Sequence, residues 1–188
     1  MHPESFSECA FKAMPKYVAF LRAINVGGHT VKMDYLRRLF EAMNFSGVET
    51  FIASGNVVFD ATAKSTKALE TRIEEHLKEL LGYEVATFLR SMSELAEVAL
   101  YKPFREAELN GEGNILYIAF LKASPDDAGK HKLLSLTNKV DEFHISGREV
   151  YWLRRSMIGE SKFSGAMLEK ALGMPATLRN STTVKKLA

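Results

Sequence analysis

Cysteine is nearly absent: Cys9 is the only one in 188 residues, which excludes an internal disulfide and a thiolate metal cage. Long apolar runs are absent too. A bilayer span needs about 20 apolar residues, whereas runs such as Tyr17-Val-Ala-Phe-Leu21 are strand-sized. Residues 1–14 lack the basic start and apolar centre of a secretory signal, and residues 1–13 are expected to form a disordered extension ahead of Met14. The histidines show no paired metal spacing, so no metal site and no cofactor is expected. Neither charge sign dominates, with 25 Lys+Arg against 23 Asp+Glu. What is present is a globular balance of 46% hydrophobic and 26% charged residues. The charge is uneven, however. Residues 146–188 carry +5 and the remainder −3, so the C-terminal segment is a candidate for anionic partners.

The chain repeats itself. Tyr17-Val-Ala-Phe-Leu-Arg-Ala23 recurs as Tyr117-Ile-Ala-Phe-Leu-Lys-Ala123. Ser54-Gly55-Asn56 is echoed by Ser146-Gly147-Arg148, and Leu81-Gly82 by Leu172-Gly173. The order of the three echoes points to a duplication. Periodicity fills each copy in. Strands are expected at 16–23, 48–53, 56–60 and 84–90, then at 114–122, 140–145, 149–153 and 176–179. Helices are expected at 33–44 and 65–81, then at 125–136 and 161–172, with a last helical turn from Thr182. Ser91-Met-Ser-Glu94 reads as a capping box opening a helix to about Tyr101. The expected fold is α+β: two tandem ferredoxin-like β-α-β-β-α-β repeats. The first spans 14–90, a linker helix and loop 91–113, and the second repeat, with its basic C-terminus, 114–188. Val18 and Phe20 alternate with Tyr17, Ala19 and Leu21. The first strand is thus apolar on both faces, and something must cover each.

The first copy is eight residues longer between Ala23 and Ser54 than the second between Ala123 and Ser146, and the surplus is placed in Ile24-Asn-Val-Gly-Gly-His-Thr-Val-Lys32. A loop that the second copy does without is where function is sought. Gly27 and Gly28 let backbone N–H groups converge on an anion, ahead of a helix N-terminus. Arg22 and Lys32 add charge; Asn25 and Asn56 add neutral hydrogen bonds. Ser54-Gly55 is read as turn chemistry common to both copies, which leaves Asn56 as the distinctive residue. Lys162, Arg179, Asn180 and Lys186 complete the candidate ligand-binding set, should the basic C-terminus meet this loop.

The stretches Leu21-Arg-Ala-Ile-Asn-Val-Gly-Gly28, Met33-x-x-Leu36 and Ser54-Gly-Asn-Val-Val-Phe59 resemble a bacterial family known as domain of unknown function 1697. Ala176-Thr-Leu-Arg179-Asn180-x-x-Thr183-Val-x-Lys186-Leu187 is similar to that family's end motif, with Ser181 where tryptophan is frequent and Leu178 where serine is. The resemblance implies a duplicated ferredoxin-like fold and a cytoplasmic protein, and implies no activity.

Other constellations have plainer readings. His76 is expected to face solvent, and His144 to be structural. Glu74, Glu75 and Glu79 are expected on a solvated helix face, and Trp152 in packing. Three functions compete. The first is a site for a phosphate- or carboxylate-bearing small molecule at the Gly-Gly loop. Its enzymatic version rests on analogy with acylphosphatases, whose signature is missing here. The second is nucleic-acid binding through the basic C-terminal segment, with a modest pI of 8.6. The third is an oligomeric scaffold, such as a homo-oligomer, or an interaction protein. No catalytic residue and no membrane contact is assigned.

Overall fold

The computed structural model describes residues 14–25, 28–53, 55–63 and 65–188, with Met157 in its backbone only. The expected extension at 1–13, Gly27 and Ser54 lie outside the described residues. The described elements are β1 (Lys16–Leu21), α1 (Met33–Glu41), β2 (Ser46–Phe51), β3 (Asn56–Asp60), α2 (Thr66–Leu81), β4 (Thr87–Ser91), α3 (Met92–Leu100), α4 (Glu106–Leu109), β5 (Ile115–Leu121), α5 (Asp127–Leu134), β6 (Asp141–Ser146), β7 (Glu149–Arg154), a 3-10 turn (Ser156–Ile158), α6 (Gly165–Leu172), β8 (Ala176–Asn180) and α7 (Ser181–Leu187). The protein is α+β, with two four-stranded antiparallel sheets ordered β2-β3-β1-β4 and β6-β7-β5-β8.

Side-chain alternation sends each central strand into two cores. Ala19 and Leu21 of β1 join α1 and α2 through Leu36, Phe40, Ile73 and Leu77 on one outer face. Ala119 and Leu121 of β5 meet Leu133 and Leu168 on the other. The inner faces close on each other, which answers what covers them. Val18, Phe20 and Phe88 pack with Ile118, Phe120, Tyr151 and Leu153. Phe20 and Phe120 stack at 4.0 Å and 12° across the interface. Helices α3 and α7 contribute Leu95, Val98, Val184 and Leu187 to the same cluster. Burying each such side chain contributes about 1.5–3 kcal/mol, so the two sheets share a large part of their stabilisation.

Local chemistry sets the helix ends. Ser65 caps α2 through the Ala68 N–H, Gly82 ends it at φ 78°, and Ser91 with Glu94 forms the expected capping box of α3. Helix α6 starts at Gly165 rather than 161 because the Ser164 hydroxyl accepts from the Met167 N–H. Strand β2 ends at Phe51 and not Ala53, since Ile52 turns to φ 51°. Two side-chain expectations are corrected. Half-buried His76 donates through Nε2 to the Leu39 carbonyl at 3.1 Å. Glu74 accepts from the Thr87 N–H and from Lys122, tying the two halves together rather than lying on a solvated face.

Candidate functional site

The two sheets are locked by a reciprocal pair of buried arginines. Arg90 in β4 pairs with Val18 of β1, and Arg179 in β8 pairs with Ile118 of β5, so they hold the same register position in their sheets. Each points into the other half. Arg90 Nη2 donates to the Leu121 and Arg148 carbonyls, and its guanidinium lies 5.3 Å from the Phe120 ring. Arg179 Nη2 donates to the Leu21 and Gly55 carbonyls, 5.6 Å from the Phe20 ring. The Nε partners differ. Arg90 meets the Glu149 carboxylate at 2.6 Å, whereas Arg179 meets the Asn56 amide oxygen at 2.5 Å. Thr177 and the Leu178 carbonyl accept from Arg179 Nη1. Burial lowers the Arg179 pKa to about 10, which still leaves it charged at neutral pH.

Register also corrects the sequence echo. Asn56 stands opposite Phe20 as Glu149 stands opposite Phe120, so Asn56 corresponds to Glu149 and not to Arg148. The first hairpin turn is four residues, 52–55, and the second two, 147–148. The connection from strand to helix is eleven residues at 22–32 against five at 122–126. The surplus in this loop is therefore six rather than eight.

Arg179 and Thr177 belong to the wall of a cleft of about 800 Å³ bounded by the start of the long loop, the first hairpin turn, α6 and β8. Loop and turn are neighbours. Asn25 Nδ2 donates to the Ala53 carbonyl, and Asn25 Oδ1 accepts from the Val31 N–H. Across the cleft, Arg22 Nη2 donates to Glu169 Oε2 at 3.0 Å, and Glu169 Oε1 accepts from the Ala176 N–H. The other half has the same tie, with Lys122 on Glu74 and Glu74 on the Thr87 N–H. One turn before Glu74, Glu70 accepts from the Leu89 N–H; one turn before Glu169 stands Gly165, which lines the cleft. A Cβ there would meet Leu178 Cδ1 at 2.8 Å.

Backbone strain collects at this place. Among the described residues, four non-glycine positions have positive φ: Ala23 (67°), Asn25 (55°), Asn44 (59°) and Ile52 (51°). All but Asn44 line the cleft. Such conformations cost about 1–3 kcal/mol, most for a β-branched residue such as Ile52.

The sequence-derived set is thus partly gathered. Arg22, Asn25 and Arg179 line the cleft, and buried Asn56 sits behind it holding Arg179. Gly28 and Lys32 are exposed and outside its lining. Asn180 caps α7 through the Thr182 N–H, a structural duty. Lys162 lies in a separate depression with Asp141 and Phe163, and Lys186 is exposed on α7. Arg155 is bound by Glu108 and Glu142. The basic C-terminal residues are therefore spread over several places and do not converge on the loop. Sequence reasoning missed Ile52, Gly165, Glu169 and Thr177. The signal for Gly165 and Glu169 was hidden because α2 runs a full turn further beyond its tying glutamate than α6 does. Aligning the helix ends then puts Glu169 opposite Lys78 instead of Glu74. Among the described residues, no group of three or more His, Cys, Asp or Glu could hold a metal, and no helix is long and apolar enough to cross a membrane.

In a comparison with solved structures, the conserved bacterial protein SP0830 from Streptococcus pneumoniae aligns with a TM-score of 0.74 at 24% identity, covering 93% of this chain and 97% of that one. At that identity the likeness shows the fold. No curated protein matches the chain. A family model described as Protein of unknown function (DUF1697) matches residues 14–151, which include the long loop and the first hairpin, end within β7 and stop short of α6 and β8.

Proposed function

Since the chain belongs to this family of unknown function, we propose its role from the cleft itself: it binds a small phosphate- or carboxylate-bearing ligand there, with Arg22 as the primary anion contact. One observation carries the reading. The Arg22 side chain is 47% exposed on the cleft wall and holds Glu169 through Nη2 alone; its Nε and Nη1 make no hydrogen bond to the described residues. A guanidinium can keep that tie and still offer a second edge to an oxyanion, which the lysine at the corresponding position 122 cannot do with a point charge. Arg179, in the same wall, adds positive potential. The strained loop and turn hold this wall in shape, as binding sites require.

The reading includes the architecture. The strand order common to both sheets and the matched arginines support two ferredoxin-like β-α-β-β-α-β units arising by duplication; the single cysteine fits the cytoplasmic location that goes with the reading. The test is titration calorimetry with inorganic phosphate and acetate. Wild type is expected to bind at least one of them, and Arg22→Gln to lose binding by tenfold or more with unchanged circular dichroism. Equal binding by the variant would reject the site.

A further inference from the structure

Ile52 combines two features that a folding chain ordinarily avoids. It is a β-branched residue at φ 51°, and it leaves 51% of its surface exposed at the mouth of the cleft. The second hairpin offers a comparison, in a turn of two residues rather than four. Ile52 is the first residue after β2 in the first hairpin turn; the first residue after β6 in the second turn is Gly147, at φ 57°. The same left-handed backbone is thus made with glycine on one side, at no steric penalty, and with isoleucine on the side that has the cleft. A turn of this kind does not need the side chain. Isoleucine also gains little there from packing, because half of it remains in water. The same cleft lining includes Ala53 on the same turn, Ala166 of α6 and Leu178 of β8, so Ile52 adds to the apolar part of a wall that also carries the Arg22–Glu169 tie.

We propose that Ile52 determines specificity in this cleft, and that the ligand is an anion carrying an apolar group, aliphatic or aromatic, rather than a bare phosphate or carboxylate. The inference rests on the anion-site reading above and goes beyond it by naming the other half of the ligand. The charged end meets Arg22. The apolar group lies on Ile52 and removes its exposed surface from water, which repays the strain only in the bound state.

The probes are phenyl phosphate and inorganic phosphate, titrated into the full chain and into Ile52→Gly, Ile52→Val and Arg22→Gln. Wild type is expected to prefer phenyl phosphate by about tenfold or more, the discrimination a small apolar contact supports. Ile52→Gly is expected to collapse that preference while melting at a higher temperature than wild type, because glycine relieves the left-handed strain. Ile52→Val is expected to keep most of the preference. Equal affinity of wild type for the two phosphates, or a preference that survives in Ile52→Gly, would overturn the role of Ile52 while leaving the anion site standing. Failure of both phosphates to bind wild type would overturn this inference, and the anion site with it where acetate also fails to bind; phenyl phosphate binding that is indifferent to Arg22→Gln would overturn both.

Discussion

Glu70 and the two interface arginines show how single residues carry the asymmetry of the molecule. Arg90 is 1% exposed and keeps a carboxylate partner in Glu149; Arg179 occupies the corresponding place with an amide at Asn56. Burying an ion pair and burying a guanidinium whose described acceptors are neutral are different electrostatic arrangements on one scaffold. Glu70 is the buried acid that stands where the cleft half has Gly165. Burial pushes its pKa up, against the Leu89 N–H bond and the positive charges of Lys122, Arg90 and Arg148, which pull it down. A carboxyl with a raised folded-state pKa stabilises the protein below its unfolded pKa and loses that contribution as pH rises through the folded value. Glu70→Gln, which keeps an oxygen for Leu89, should therefore be more stable than wild type at pH 7. The advantage should vanish towards pH 4, as read from urea unfolding at the two pH values.

Elements were legible in proportion to how local their causes are. The Ser91–Glu94 capping box and the apolar helix periodicity placed α1, α2 and α3 within a few residues. Short helix α4, which opens with Glu108 accepting from the Arg105 N–H and ends at Asn110, was missed because four residues carry no period. The long loop is held by a long-range device. Asn25 joins Ala53 and Val31 while taking a left-handed conformation that asparagine tolerates better than alanine. Asn25→Ala should cost about 2 kcal/mol, from two lost hydrogen bonds and the backbone preference. It should also speed hydrogen exchange at the Val31 amide, measurable by NMR. Asn25→Gly should recover the backbone part only.

At the scale of the whole molecule, the inner faces of the two sheets form one cluster that also takes in α3 and α7. Neither half can unfold without exposing Phe20 or Phe120 of the other's interface, and Arg90 and Arg179 each lose acceptors in the opposite half. Urea unfolding should therefore be a single transition. Fluorescence of Trp152, buried in the outer core of the second sheet, should coincide with far-ultraviolet circular dichroism, which reports on both halves. Two separated midpoints would contradict this coupling.

The sequence by itself determined the α+β class, the internal echo, the capping box of α3 and the presence of an extra loop, because period, capping chemistry and self-similarity are local properties of the chain. It also singled out Arg22, Asn25, Asn56 and Arg179. Only the tertiary structure decided what these residues do. The pairing of Asn56 with Arg179 spans 123 positions and that of Arg22 with Glu169 spans 147, and such distances are closed by sheet-on-sheet packing that no local pattern encodes. The same packing opened the cleft beside Gly165, separated Lys162, Asn180 and Lys186 from it, and put Ile52 at its mouth.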